Sequence, residues 1–120
     1  MKSRKEVREA LSGPVPCVST PFLENGDVDH GSVRTMVNFF IDADVKTILL
    51  TPGSSEYYCL SAKEIGELAK TTVQAAAGRA MVIAGDYQLT TRKAIAYAQY
   101  LNEVKADLYL VYPPNWCTSM

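Results

Sequence analysis

The stretch Thr47-Ile48-Leu49-Leu50-Thr51-Pro52-Gly53-Ser54-Ser55-Glu56 runs from an apolar segment directly into a turn of small residues. Its first four residues are apolar or β-branched, which predicts a short buried strand at 47–50. The six residues that follow favour a turn whose backbone N–H groups and hydroxyls can hold an anion. Parallel α/β folds bind their ligands at the carboxyl ends of the strands, where this turn lies. Gly-Ser-Ser is also common in ordinary turns, so the stretch by itself leaves a plain turn equally open.

The same order of strand, loop and helix repeats along the whole chain. Hydrophobic periodicity and capping residues predict helices at about 4–11, 30–43, 61–78 and 90–104. Apolar, partly β-branched runs predict strands at 15–20, 47–50, 81–84 and 108–112. Strands that alternate with helices in this way are typical of a parallel sheet with crossover helices. The sequence therefore predicts an α/β fold.

Local signals mark where several of these elements begin and end. Ser precedes Glu by three positions at Ser3 and again at Ser61, which predicts a capping box at the start of two helices. Two prolines, at 14 and 16, place the beginning of the first strand at an end or edge where ladder donors are not needed. In the last helix we expect the inward-facing residues to be Ala94, Ile95, Ala98 and Leu101.

Composition excludes several classes of function. The 120 residues are 48% hydrophobic and 21% charged, with a net charge of −1, which gives no electrostatic footprint for nucleic acid or for an anionic membrane. Three cysteines, Cys17, Cys59 and Cys117, lack metal-ligand spacing, and His30 is the only histidine. We therefore expect no metal site and no membrane span, and we expect reduced cysteines in a cytoplasmic protein.

Several short motifs, spread over about residues 14–116, match one family. They are Val18-Ser19-Thr20-Pro21-Phe22 with Asn25-Gly26-Asp27-Val28-Asp29, the turn at 51–56 with Leu60-Ser61-Ala62-Lys63-Glu64, Val82-Ile83-Ala84-Gly85 with Thr91, and Ala106-Asp107 with Pro113-Pro114. Together they resemble the amino-terminal half of the dihydrodipicolinate synthase and N-acetylneuraminate lyase family, class I aldolases built on a (β/α)8 barrel. The resemblance implies the first half of a TIM barrel, about four βα units. It divides the chain into an N-terminal helical extension at 1–13 and a partial barrel at 14–120, truncated after the fourth strand.

The resemblance also implies a ligand. In that family the small-residue loop after the second strand binds the carboxylate of pyruvate or of another 2-oxo acid. Carried over by position, Gly53, Ser54 and Ser55 form the substrate-binding site, with the hydroxyl of Ser54 and the backbone N–H of Ser55 as donors. No cofactor is implied, and we expect a homo-oligomer.

The chain departs from the synthase pattern at three places. Gly53 stands where the synthases carry a hydroxyl of a proton relay, and Ser55 replaces a glycine. Asn115-Trp116 occupies the place of a tyrosine pair, one member of which serves that relay. These changes fit the lyases and dehydratases of sugar-derived keto acids better than they fit the synthase reaction.

The family's Schiff-base lysine lies on the sixth strand, beyond Met120, so no catalytic residue is assigned within this chain. All seven lysines are predicted on helices, helix ends or connections that face water. We expect a Schiff-base lyase, aldolase or dehydratase acting on pyruvate or a related 2-oxo acid, whose catalytic half is missing here and whose 120 residues are inactive alone. Two alternatives remain: a non-catalytic half-barrel for binding or assembly, and an inactive fragment.

Other residues are weaker candidates. Asp86 follows the third strand and is the acid best placed to face a barrel mouth. Trp116 is a second possible pocket residue. Glu56 is expected to support the loop through a hydrogen bond. His30, just after a helix cap, is expected to be exposed, and Tyr109 is expected to pack in the barrel core or against the helices.

Overall fold

The computed structural model describes residues 2–86 and 90–112. Its helices are α1 (Arg4–Ala10), α2 (His30–Asp42), α3 (Ala62–Ala76) and α4 (Thr91–Glu103), and a single 3₁₀ turn covers Tyr57–Cys59. Its strands are β1 (Thr47–Leu50), β2 (Met81–Gly85) and β3 (Leu108–Leu110). The strands pair in the order β1-β2-β3, and both pairings are parallel. The predicted α/β architecture, with parallel strands joined by helices, is confirmed.

The predicted first strand at 15–20 is reduced to one bridge. Cys17 pairs in parallel with Leu49 on the free edge of β1. The N–H of Val18 donates to the Leu49 carbonyl at 3.1 Å, and the Leu49 N–H donates to the Pro16 carbonyl at 2.9 Å. Proline has no N–H to extend this ladder, and prolines stand at both 14 and 16, which explains why a regular strand does not form.

The sheet has two chemically different faces, because side chains alternate along each strand. One face packs against the helices, and Ile48, Leu50, Val82 and Ala84 on it belong to the hydrophobic core. That core also contains helix residues such as Val33, Val37, Ile65, Leu68 and Leu101. The opposite face, called the inner face below, carries Leu49, Ile83, Gly85, Leu108 and Leu110 in register.

The helix caps form as their sequences predict. Ser3 and Glu6 make a capping box at α1, Ser61 and Glu64 make another at α3, and the Asp29 side chain caps α2. At its carboxyl end α3 stops at Ala76. The left-handed turn there begins one residue before the predicted glycine, since Ala77 has φ 47° and Gly78 has φ 76°.

The inward face of α4 differs from the prediction in one residue. Ile95 is 55% exposed, whereas Tyr97 is buried at 8%. The Tyr97 ring meets the Tyr109 ring edge-on, with the centroids 5.7 Å apart. Tyr97 lies four residues before the buried Leu101 and therefore on the same helical face, whereas Ile95 lies off that face. The aromatic contact with the sheet fixes which side of α4 points inward.

Helix α1 has no buried residue and attaches beneath the amino ends of the strands by polar contacts. The Thr47 hydroxyl donates to the Ala10 carbonyl at 2.7 Å. Lys2 Nζ lies 3.3 Å from Asp107, whose other oxygen accepts from the Val82 N–H at 2.8 Å. The division into an extension at 1–13 and a barrel part at 14–120 stays a prediction. In the part of the chain that the structure describes, no helix is long and apolar enough to cross a bilayer.

Candidate anion-binding turn at the end of β1

The turn after β1 is closed by Ser55. The N–H of Ser55 donates to the Thr51 carbonyl at 2.9 Å, and the Thr51 N–H donates back to Ser55 Oγ at 3.2 Å. The Thr20 hydroxyl donates to the Ser55 carbonyl at 2.6 Å. Ser55 is fully buried, and Thr20 is 5% exposed. These bonds hold the turn rigidly against the segment that carries the Thr-Pro-Phe motif.

Gly53 and Ser54 form the tip of this turn, and both are exposed. Within residues 2–86 and 90–112, neither backbone N–H nor the Ser54 hydroxyl makes a hydrogen bond. A side chain at Gly53 would meet no atom within 4 Å, so the space above the tip is open. Two successive amides and one hydroxyl at the carboxyl end of a parallel strand therefore remain available to an anion.

The Ser55 amide differs from the sequence expectation. It was expected to donate to the bound anion, but its hydrogen bond to the Thr51 carbonyl uses it inside the turn. Its physical role in this structure is to shape the turn. The available donors are those of Gly53 and Ser54, which are one and two positions earlier in the sequence.

A second pair of hydroxyls lies at the base of the turn, and sequence reasoning missed it. Thr51 Oγ1 and Tyr112 Oη are hydrogen-bonded across 61 positions of sequence. The Tyr112 ring passes over Gly85, where an added Cβ would lie 3.3 Å from the ring and 2.9 Å from the Leu50 carbonyl. Thr51 and Tyr112 thus extend the inner face beyond the ends of β1 and β3. The glycine at the end of β2 was the one sequence signal of this close approach.

Asp86, a possible pocket residue by its place in the sequence, lies on the helix-facing side of the sheet, and its contact with a ligand stays a prediction. It is 1% exposed, and its Oδ2 accepts a 2.6 Å hydrogen bond from Tyr109 Oη. Because Asp86 follows Gly85, alternation turns it towards the helices. Burial raises the pKa of Tyr109, and the hydrogen bond to Asp86 raises that pKa further. Asp86 belongs to a buried polar cluster that joins β2 to β3.

Two more tyrosines complete this cluster. Tyr57 is fully buried and Tyr97 is 8% exposed, and neither hydroxyl has a hydrogen-bond partner among the described residues. Burial is the main reason why the pKa values of both tyrosines lie above the ordinary value, and the charge of Asp86 adds to both shifts. Their rings contribute packing between the sheet and the helices.

The remaining candidates are placed as follows. Asn115 and Trp116 lie outside the described residues. Glu56 is exposed in a left-handed conformation, with φ 56°, and its side chain makes no hydrogen bond to a described residue, so the expected support of the loop is not seen. His30 is half-buried, in contrast to the expectation, because its Nδ1 lies 2.8 Å from the Thr71 hydroxyl.

The lysines lie where the sequence predicted them. Six of the seven are exposed, and the seventh, Lys2, is paired with Asp107. The described lysines therefore include no buried amine at the carboxyl end of a strand. In the same parts of the chain, no group of three or more His, Cys, Asp or Glu side chains is arranged to hold a metal ion.

Comparison with known proteins decides the family. The model of the dihydrodipicolinate synthetase family matches residues 10–119. The chain belongs to this family. The 4-hydroxy-tetrahydrodipicolinate synthase of Methanococcus aeolicus is 34% identical over 106 residues, which are 88% of this chain and 36% of the relative. The chain thus spans about 36% of the length of the curated relatives of the dihydrodipicolinate synthetase family that it matches.

Solved structures of this family share the fold. N-acetylneuraminate lyase from Mycoplasma synoviae superposes with a TM-score of 0.81 at 28% identity, over 88% of this chain and 37% of that protein. YagE of Escherichia coli K12, a dihydrodipicolinic acid synthase family protein solved in complex with pyruvate, gives 0.80 at 26% identity, over 88% and 36% of the two chains. The parallel strands and helices therefore correspond to the amino-terminal part of the TIM barrel in these proteins.

Proposed function

We propose that this chain supplies the carboxylate-binding part of a Schiff-base lyase, aldolase or dehydratase that acts on pyruvate or a related 2-oxo acid. The observation that carries the proposal is the tip of the turn after β1. There the N–H groups of Gly53 and Ser54 and the Ser54 hydroxyl lack partners among the described residues. Hydrogen bonds to a carboxylate are about twice as strong as neutral ones, so three neighbouring donors without partners suit this ligand.

Family membership supports the choice of ligand. One structural neighbour with the same fold was solved in complex with pyruvate, and another is named N-acetylneuraminate lyase. In the proposed protein the amine that attacks the carbonyl comes from outside these 120 residues. An amine of this kind must be poorly solvated to be neutral near pH 7, and the lysines described here are exposed or ion-paired. The proposed function includes a homo-oligomer in the cytoplasm.

The test measures the affinity for pyruvate of the full-length protein and of two serine variants. Ser54→Ala removes the hydroxyl at the tip of the turn, and we expect the dissociation constant to rise about tenfold or more, since a hydrogen bond to a charged group contributes roughly 1.5–3 kcal/mol. Ser12→Ala is the matched control, because Ser12 is exposed near the opposite ends of the strands and bonds only to the Glu9 carbonyl. An unchanged affinity in Ser54→Ala contradicts the assignment.

The same preparations separate catalysis from simple binding. Incubation with pyruvate and borohydride, followed by mass spectrometry, converts a Schiff base into a stable adduct on one lysine. We expect that adduct outside residues 1–120. Pyruvate binding without any adduct identifies the protein as a non-catalytic binding module instead.

A further inference from the structure

The Thr51–Tyr112 pair has one hydrogen-bond donor more than it uses. Two hydroxyls carry two O–H groups, and their mutual hydrogen bond consumes one of them. Within the described residues, no acceptor other than the partner hydroxyl is bonded to Thr51 Oγ1 or Tyr112 Oη. Thr51 is 8% exposed and Tyr112 is 37% exposed, so the pair lies at the boundary between the core and the open space of the inner face.

The position of the pair is fixed relative to the tip of the turn. Thr51 precedes Gly53 by two residues, and its N–H is bonded to Ser55 Oγ. Tyr112 reaches Thr51 because Gly85, on the strand between them, has no side chain to obstruct the ring. The pair therefore faces the same open space as the inner-face residues of the strands, at the base of the turn that carries Gly53 and Ser54.

We propose that the uncommitted O–H of the Thr51–Tyr112 pair donates to an oxygen of the bound 2-oxo acid. Thr51 and Tyr112 are then ligand-positioning residues alongside Gly53 and Ser54. This inference rests on the proposed function, since it extends the same anion site from the tip of the turn to its base. Tyr112 is exposed, so this O–H is open to the space of the inner face, where a ligand oxygen can accept from it.

The experiment measures pyruvate affinity in the full-length protein with Tyr112→Phe, which keeps the ring and removes the hydroxyl. Thr51→Val removes the other hydroxyl of the pair. Either single variant leaves one hydroxyl whose O–H is no longer used within the pair, so each is expected to lose less affinity than the double variant. In the double variant, which has no donor left, we expect the dissociation constant to rise about tenfold or more, as for other hydrogen bonds to charged ligands.

Tyr100→Phe is the matched control. Its hydroxyl donates to the Gly66 carbonyl at 3.0 Å on the helix-facing side, so its loss is expected to leave pyruvate affinity unchanged. All variants are compared at a temperature where circular dichroism shows them folded. A purely structural role for the pair lowers the unfolding temperature without changing the affinity of the folded protein.

The outcomes separate this inference from the function on which it rests. If the unmodified protein binds pyruvate and Ser54→Ala weakens that binding, an unchanged affinity in the double variant Thr51→Val, Tyr112→Phe overturns the inference alone. If the unmodified protein binds no pyruvate, both the inference and the proposed function fail.

Discussion

The Tyr109 hydroxyl donates a 2.6 Å hydrogen bond to Oδ2 of Asp86, on the side of the sheet that packs against the helices. Asp86 is 1% exposed and directly follows β2, while Tyr109 lies in the middle of β3. The bond thus links two neighbouring strands at their carboxyl ends through side chains as well as through the backbone. It also keeps the carboxylate away from the open space where a ligand is proposed to bind.

Tyr109→Phe is expected to destabilise the protein by about 1–3 kcal/mol, because a buried carboxylate loses one of its donors. Pyruvate affinity is expected to stay unchanged, since the hydroxyl lies on the helix-facing side. Chemical denaturation of the full-length protein measures the first effect and calorimetry the second. Equal stability of Tyr109→Phe and the unmodified protein would show that Asp86 does not depend on this bond.

Tyr57→Phe is expected not to destabilise the protein, in contrast to Tyr109→Phe. The Tyr57 hydroxyl is fully buried and has no hydrogen-bond partner among the described residues, so it bears a desolvation penalty without a compensating bond. Its removal is expected to leave the free energy of unfolding unchanged or to raise it by up to about 1 kcal/mol. A loss of stability in this variant, measured by the same denaturation, would point to a water or another partner at that hydroxyl.

Gly85→Ala is expected to cost about 1–3 kcal/mol by overpacking. The added methyl group would lie 2.9 Å from the Leu50 carbonyl and 3.3 Å from the Tyr112 ring, and the backbone carbonyl is not free to move aside. Gly13→Ala is the control, since a methyl group there meets nothing within 4 Å. The unfolding temperature of Gly85→Ala should be well below that of Gly13→Ala. The reverse order would refute the close packing over β2.

The capping box at the start of α3 is expected to make stability depend on pH. Hydrogen bonds from the Ser61 side chain and backbone lower the pKa of Glu64 below its ordinary value of 4.5. A carboxyl group with a lowered folded-state pKa stabilises the fold at pH values above 4.5, and this stabilisation is lost as the pH falls through the lower value.

Ser61→Ala removes that cause, so its unfolding temperature should fall less than that of the unmodified protein between about pH 6 and pH 3. Glu64→Gln, which cannot titrate, is the control and should show the same reduced slope. Identical slopes in all three proteins would exclude Glu64 as a source of acid sensitivity.

Local sequence predicted most of the fold because each element carries its own signal. The helices have caps and a 3.6-residue apolar period, and the strands β1 and β2 are continuous apolar runs. The predictions differ from the structure at two places, for different reasons. The single bridge at Cys17 reflects the missing donors of two nearby prolines, which is a local effect. The burial of Tyr97 in place of Ile95 depends on a ring contributed by β3, which is distant in sequence.

Some residues of the candidate site could be predicted from the sequence, and others could not. Gly53 and Ser54 could be chosen from the sequence, because a small-residue turn after a buried strand is a local pattern. The Thr51–Tyr112 pair could not be, because it joins residues 61 positions apart and depends on the absence of a side chain at Gly85. The direction of Asp86 likewise follows from strand register, and a shift of one residue reverses it.

The alternation of side chains across β1, β2 and β3 also bears on how such a protein can diverge. Substitutions at Thr51 or Tyr112 alter the surface available to a ligand, whereas substitutions at Leu50 or Ala84 alter the packing of the helices. Since the two sets lie on opposite sides of one sheet, the surface proposed to bind a ligand can change while the packing of the helices against the other side is kept. A mutational scan that scores binding and abundance separately should therefore sort neighbouring positions along each strand into different classes.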